Sequence, residues 1–214
     1  MKKSCLQLRM KYSVFAEILH DRNIGRNSMN HQGTKTLETE RLILRKFTMD
    51  DAPAMFKNWA GDSEVTKFLT WPTHKNEDVS RYVIGLWLKD YEKENNYQWA
   101  IELKELGEVI GSISVVRLND DLNEAEVGYC IGRNFWHQGI TSDAFAAVIR
   151  FLFDEVGADR VCAGHDTNNP NSGKVMKKCG LSYEGTLRKS GRNNQGIVDV
   201  SIYGILRDEY EAGK

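Results

Sequence analysis

The chain is poor in the features that mark several large protein classes. Its 214 residues include 4 cysteines and 3 prolines, and no two cysteines form a C-x-x-C pair. This spacing suggests neither a zinc site nor a disulfide framework, so we expect reduced thiols and no metal. No apolar run approaches the ~20 residues that span a membrane. Lys2 and Lys3 are not followed by the apolar core of a signal peptide. We therefore expect a cytoplasmic protein without membrane contacts.

Two nucleotide-binding motifs are also missing, namely G-x-x-x-x-G-K-[ST] and an early G-x-G-x-x-G. The formal net charge is −1, yet residues 1–33 carry six lysines and arginines against two acidic residues, so the remainder is acidic. Because that remainder has no basic stripe interleaved with aromatics, we expect no direct nucleic-acid binding. With 41% hydrophobic residues, the chain can bury a full core without metals or disulfides.

Hydrophobic periodicity predicts an α/β domain over residues 34–214. Alternating residues between turn signals predict strands at residues 41–46, 97–103, 109–118, 124–132, 160–165, 182–192 and 197–206. Helical spacing predicts helices at residues 76–93, 140–155 and 171–179, and another that contains Pro53 and is capped by Asp50 or Asp51. Residues 1–33 form an extension. It is either an amphipathic helix around Leu8, Tyr12 and Phe15 or a non-native start, with Met29 as the true one.

The junction between the strand at 124–132 and the helix at 140 is the most informative segment. Gly139 lets the backbone come close to a ligand. The unpaired N–H groups of the first helical turn carry the positive end of the helix dipole, so the junction can hold a phosphate or diphosphate. The alternative is a helix that begins after a glycine turn and binds nothing.

Further motifs surround this junction in an order that resembles the GCN5-related N-acetyltransferase (GNAT) superfamily, in particular its ribosomal-protein N-terminal (alanine) acetyltransferase branch. The resemblance runs from about residue 37 to residue 210 and rests on Glu40-Arg41-Leu42-Ile43-Leu44-Arg45, Trp71-Pro72, Ala125-Glu126-Val127-Gly128-Tyr129, Trp136-His137-Gln138-Gly139-Ile140-Thr141, Asn169-Pro170-Asn171-Ser172, Lys178-Cys179-Gly180-Leu181 and Asp199-Val200-Ser201-Ile202-Tyr203. It implies a GNAT fold, in which a mixed, mostly antiparallel sheet of six to seven strands has flanking helices and a splayed central cleft. The implied cosubstrate is acetyl-CoA.

The resemblance also implies which residues bind acetyl-CoA. They are Cys130, Ile131, Trp136, His137, Gln138, Gly139, Ile140, Thr141, Ser142, Asn169 and Ser172. The diphosphate signature of the family, Gln/Arg-x-x-Gly-x-Gly/Ala, falls on Trp136, Gly139 and Thr141, where only the glycine matches. Backbone N–H groups make most contacts in such loops, so the other two changes are compatible with binding. Lys174, Lys177, Lys178 and Arg133 are candidates for the adenosine phosphates, or simply solvated charges.

Two side chains are the catalytic candidates that the resemblance implies. Glu126 occupies the general-base position of the histone-acetyltransferase branch, although Glu124 and Glu126 alternate along a strand and both could face solvent. Ser172 is the candidate acid, because Met176 stands where many members have a tyrosine. Solvent is the alternative for either role. The base proposed for the ribosomal branch falls on Gly191.

The reaction expected is direct attack of a primary amine on acetyl-CoA. The leading acceptor is a protein N-terminus, such as that of a ribosomal protein. The alternatives are a small amine (polyamine, aminoglycoside or amino acid) and a catalytically inactive acyl-CoA-binding regulator. Trp71 and His74 would border the acceptor site. The sequence leaves the choice between monomer and homodimer open.

Overall fold

The computed structural model describes residues 28–214, which contain one eight-stranded sheet in the order β1-β2-β3-β4-β5-β6-β8-β7. Its strands are β1 (Leu37–Glu38), β2 (Leu42–Arg45), β3 (Gln98–Leu103), β4 (Glu108–Asn119), β5 (Glu124–Ile131), β6 (Arg160–Asp166), β7 (Ser182–Asn193) and β8 (Gly196–Leu206). Only β5 and β6 pair in parallel, and every other neighbouring pair is antiparallel. The predicted mixed, mostly antiparallel α/β fold is confirmed.

The sheet has one strand more than the six to seven expected. The additional strand is β1, which spans two residues and pairs Leu37 with Leu44 and Glu38 with Ile43. Two residues are too few to show an alternating pattern, so periodicity could not reveal this strand. The seven strands that the sequence pattern predicted are all present, and no strand end differs from its predicted position by more than one residue.

The helices differ from the prediction mainly at their ends. They are α1 (Ala52–Met55), α2 (Ser63–Thr66), α3 (Glu77–Asp90), α4 (Ile140–Phe151), α5 (Pro170–Lys178) and α6 (Arg207–Ala212). Asn76 caps α3, since its side chain accepts a hydrogen bond from the Val79 N–H at 3.2 Å. The helix predicted over residues 140–155 is α-helical only to Phe151 and continues as a π-helical turn, Leu152–Val156. A second π-helical turn, Phe56–Ala60, follows α1.

Each face of the sheet has its own core. The face covered by α4 contains the larger cluster, where Phe145, Val148 and Leu152 are fully buried. The opposite face is covered by α1, α3 and the π-helical turn Phe56–Ala60, and its core includes Trp59 and Ile84. Because side chains alternate along a strand, β5 sends its odd-numbered residues to the α4 face and its even-numbered residues to the other face.

The folded unit extends farther toward the N-terminus than the boundary expected at residue 34. Met29 is 7% exposed and belongs to the larger core. The Asn30 N–H donates to the Val156 carbonyl at 2.7 Å, and the Gly33 N–H donates to that of Glu94 at 2.6 Å. The proposed amphipathic helix around Leu8 lies outside the described residues. Within residues 28–214, no helix is both long and apolar enough to cross a membrane.

Candidate functional site

Strands β5 and β6 diverge to form a fork in the middle of the sheet. Their pairing consists of Glu124 with Arg160, Ala125 with Val161 and Glu126 with Cys162. Beyond Glu126 the two strands separate, although β5 continues to Ile131 and β6 to Asp166. The splayed central cleft expected from the sequence is therefore present, with Glu126 at the last paired position.

The open side of β5 presents the backbone of alternate residues. The Gly132 N–H donates to the Ile110 carbonyl at 2.8 Å, on the β4 side. In an antiparallel pair the hydrogen-bonded positions recur every second residue, so the backbone of Cys130 also faces β4. The same alternation directs the backbone of Ile131 and Tyr129 toward the fork. Of the two predicted strand contacts, Ile131 lies on the open side and Cys130 does not.

The loop after β5 carries a run of free backbone N–H groups. Gly139 is the N-cap of α4 with φ of 76°, and the Asp143 N–H donates to its carbonyl at 3.1 Å. Among the described residues, no acceptor takes the backbone N–H of any residue from 137 to 142. His137, Gln138, Gly139, Ile140, Thr141 and Ser142 thus form an anion cradle, where free donors coincide with the positive end of α4.

Trp136 holds this cradle in place. Its indole N–H donates to the Ile131 carbonyl at 2.9 Å, and its backbone N–H donates to the Arg133 carbonyl at 3.2 Å. Both donors are therefore already used, so Trp136 differs from residues 137–142, whose backbone N–H groups are free. The Gln138 side chain also closes the loop, by donating to the Asn134 carbonyl at 2.9 Å.

Two cations lie beside the cradle. A Cβ at Gly139 would be 3.2 Å from Lys178 Nζ and 3.6 Å from Arg41 Nη2. The motif that contains Arg41 was recognised in the sequence, but nothing in its spacing connects Arg41 with residue 139. The other predicted cations are engaged elsewhere. Arg133 pairs with Asp62 at 2.9 Å, Lys174 donates to Asn171, and Lys177 lies over the Tyr203 ring.

The start of α5 faces the fork from the β6 side. Asn169 is the N-cap, yet within residues 28–214 its side chain makes no capping hydrogen bond, so its amide is available to a ligand on that part of the chain. The Ser172 carbonyl accepts a hydrogen bond from the Tyr129 hydroxyl at 3.0 Å. Burial raises the pKa of Tyr129, so this donor keeps its proton. Tyr129 thereby joins β5 to α5 across the fork, while Met176 is buried in the core.

Glu126 and Glu124 lie on the face of β5 opposite α4 and share one arginine. Arg117 Nε donates to Glu126 Oε2 at 2.8 Å, and the Nη2 atom of the same guanidinium lies 3.4 Å from Glu124 Oε1. Glu124 also accepts from Arg160 at 2.7 Å. The Glu126 side chain is 28% exposed, and within residues 28–214 no group donates to its second oxygen. Glu126 can therefore reach a water or an amine at the apex of the fork.

On this same face, the tip of the β7–β8 hairpin is fastened to the loop that follows α2. The Asn194 side-chain amide donates to the Thr66 and Trp71 carbonyls, both at 2.8 Å. Asn193 donates to Asp166 at 2.7 Å, at the end of β6. No local sequence pattern predicts these contacts. His74 is buried, its Nδ1 lies 2.8 Å from the Ser80 hydroxyl, and burial lowers its pKa.

The described cysteines are unsuited to nucleophilic chemistry. Burial raises the pKa of Cys130, whose Sγ lies 3.3 Å from the Ser112 hydroxyl. Burial, with Glu124 and Glu126 nearby, raises the pKa of Cys162 to about 12, and burial raises that of Cys179 to about 12. These thiols stay protonated near neutral pH. Within residues 28–214, no three His, Cys, Asp or Glu side chains are placed to hold a metal ion.

Comparison with known proteins now decides the family. The family model described as "Acetyltransferase (GNAT) domain" matches residues 41–182, which include the fork, the cradle and α5. The chain belongs to the GNAT acetyltransferase family. The resemblance of its motifs to the GNAT superfamily is thereby confirmed, and this GNAT enzyme is an N-acetyltransferase that depends on acetyl-CoA.

Relatives cover most of this GNAT chain. N-acetyltransferase p20 of Bacillus licheniformis is 31% identical over 177 residues, which are 82% of this chain and 98% of that protein. The ribosomal-protein-serine acetyltransferase of Escherichia coli K12 is 27% identical, covering 71% of this chain and 82% of that one. The crystal structure of microcin C7 self-immunity acetyltransferase MccE, in complex with acetyl-CoA and AMP, has a TM-score of 0.71 at 22% identity, over 78% of this chain and 93% of that one.

The residues at the fork and the cradle fit acetyl-CoA. Free N–H groups over residues 137–142 match a diphosphate, and Gly139 leaves room for its approach. Lys178 and Arg41 add positive charge at the same place. Farther along, the open edge of β5 offers the backbone N–H groups of Tyr129 and Ile131 to an extended arm.

Proposed function

We propose that this GNAT enzyme acetylates the N-terminal α-amine of a protein, such as a ribosomal protein, at the fork between β5 and β6. The observation that carries the proposal is the position of Glu126. Glu126 is the last residue of β5 that pairs with β6, and its side chain faces away from α4. The cradle lies at the start of α4. Donor and acceptor thus approach the apex of the fork from opposite sides.

Acetyl-CoA supplies an activated acetyl thioester. Residues 137–142 bind the diphosphate through their backbone, and the free amide of Asn169 bonds the pantetheine arm. The backbone N–H groups of Tyr129 and Ile131 point to the same arm from the open side of β5. Glu126 accepts the proton of the amine, directly or through a water on its free oxygen. Ser172, in the first turn of α5, donates to the departing sulfur.

An α-amine suits this machinery better than a lysine. An α-amino group titrates near ~8 and a lysine near ~10.4, so at neutral pH the first is neutral hundreds of times more often. The enzyme has Met176 in the core, Gly191 at the base position of the ribosomal branch, and Arg117 bound to Glu126. Such sparse proton-handling groups suit an acceptor that arrives mostly deprotonated. The E. coli relative, a ribosomal-protein-serine acetyltransferase, supports the same acceptor class.

A panel of amines tests this proposal. The enzyme is incubated with acetyl-CoA and a short peptide with a free N-terminus, the same peptide N-terminally blocked and carrying one internal lysine, spermidine, or an aminoglycoside. Products are measured by mass spectrometry. We expect the free N-terminus to give the highest kcat/KM, with a shallow pH dependence above neutrality. Faster acetylation of spermidine or the aminoglycoside would overturn the proposal in favour of a small-amine acceptor. Binding of acetyl-CoA without any product would favour a regulator.

A further inference from the structure

An acidic side chain stands at the entrance to the anion cradle. Asp143 lies in the first turn of α4, immediately after the free N–H groups of residues 137–142. An acidic residue at a helix N-terminus interacts favourably with the dipole, and for that reason it competes with a bound anion. Its carboxylate would also repel the phosphates of acetyl-CoA. The cradle therefore needs Asp143 to be neutralised.

Arg41 makes this neutralising contact. Its Nε donates to Asp143 Oδ2 at 2.8 Å and its Nη2 donates to the same oxygen at 2.5 Å. Its remaining nitrogen, Nη1, donates to the Gln138 carbonyl at 3.0 Å. One guanidinium thus binds both the helix and the loop that form the cradle, from a turn that precedes β2.

The guanidinium also lies at the mouth of the cradle. Arg41 Nη2 would be 3.6 Å from a Cβ at Gly139, beside Lys178. The Arg41 and Asp143 side chains are 41% and 35% exposed. Exposed pairs of this kind contribute little to folding, because solvent screens the attraction. Breaking the pair should therefore leave the fold intact and change mainly the charge that a ligand meets.

We propose that Arg41 is a positioning residue for the acetyl donor, which neutralises Asp143 and fixes the residue 137–142 loop for the phosphates of acetyl-CoA. This inference rests on the proposed donor site. It predicts opposite signs for the two partners. Loss of Arg41 leaves Asp143 free to repel the phosphates, whereas loss of the Asp143 charge removes the repulsion. If the Arg41–Asp143 pair only held the loop in place, loss of either partner would weaken CoA binding equally.

The test is a double-mutant cycle with Arg41→Gln, Asp143→Asn and the double variant. Calorimetry measures the affinity for CoA at low and high salt. We expect Arg41→Gln to weaken binding by about tenfold, because the unpaired Asp143 carboxylate then repels the phosphates. Asp143→Asn should bind at least as tightly as wild type, and the double variant should recover part of the loss. Equal weakening by both single changes would overturn the inference.

Phosphate-free pantetheine separates charge from general damage to the loop. Arg41→Gln should raise the KM for acetyl-CoA with little change in kcat, and should leave the KM for acetyl-pantetheine unchanged. An equal rise for both donors would overturn the inference. Arg81→Gln is a matched control, since Arg81 forms a similar exposed pair with Glu77 on α3. If wild type bound no CoA, the proposed donor site would fail as well; normal wild-type binding with equal losses would reject the role of Arg41 alone.

Discussion

The two sides of the fork between β5 and β6 consist of different chemical groups. The proposed donor side uses backbone N–H groups of residues 137–142, a glycine with positive φ and the N-terminal end of α4. The proposed acceptor side uses side chains, since Asn194 and Asn193 connect the β7–β8 hairpin to distant segments. A site built from backbone groups tolerates changes in side chains that do not support the loop, as at Thr141. A site built from side chains does not tolerate such changes. Binding of the donor can therefore persist while the preference for the acceptor changes.

The largest loss of acetyl-CoA affinity is expected when a side chain is introduced into the anion cradle. Gly139→Asp places a Cβ and a negative charge in the cradle, at φ of 76°. We expect the affinity for acetyl-CoA to fall by about 100-fold or more, because several N–H contacts are lost and like charges meet. Calorimetry measures the loss. Gly157→Asp is the control, because Gly157 has φ of 84° at the other end of this helical segment and nothing within 4 Å of its Cβ position. Unchanged binding in Gly139→Asp would contradict the cradle assignment.

The next largest effect concerns the rate of acetyl transfer at Glu126, where β5 and β6 separate. Glu126→Gln should lower kcat by about 100-fold, the low end for a general base, with nearly unchanged affinity for acetyl-CoA. The loss should shrink at high pH, where more of the amine is already neutral. Glu124→Gln is matched, since Glu124 lies on the same face and contacts the same Arg117. Steady-state rates that fall equally in both variants would show that the ion pairs matter rather than the position of Glu126.

A smaller effect is expected from a substitution in the β7–β8 hairpin, which should affect the acceptor and not the donor. Asn194→Ala removes the bonds to the Thr66 and Trp71 carbonyls. We expect the KM for the amine to rise about fivefold, on the order of one or two neutral hydrogen bonds. The KM for acetyl-CoA should stay at the wild-type value. A rise in the KM for acetyl-CoA, with that for the amine unchanged, would contradict the division of the site.

The smallest effect concerns the pH dependence of stability at His74. Burial lowers the pKa of His74 below 6.5, so the folded state favours the neutral ring. The unfolded chain binds more protons at acid pH, so the stability from this residue is present above pH ~6.5 and is lost as pH falls below it. Urea unfolding of His74→Gln should therefore show a shallower loss of stability between pH 7 and pH 5. An acid slope equal to that of wild type would contradict this.

The sequence predicted the fold well, and it allowed the donor site to be proposed, because both leave local signals. Alternation marks the longer strands, and Gly139 marks the start of α4. The acceptor side depends on contacts between residues far apart in the chain, such as Asn194 with Thr66, which no local pattern encodes. The pair of Arg41 and Asp143 was missed for the same reason. Cys130 was assigned to the open edge because its strand was recognised, whereas its direction depends on register with β4, which only the structure gives.

Amide chemical shifts test the division of the fork most directly. The protein is labelled with ¹⁵N and titrated with CoA and, separately, with pantetheine. We predict that CoA shifts the amides of residues 137–142 together with those of Tyr129 and Ile131, and that pantetheine shifts the fork amides alone. Neither should shift the side-chain amide of Asn194, which lies on the acceptor side. CoA shifts that avoid residues 137–142 would contradict the account.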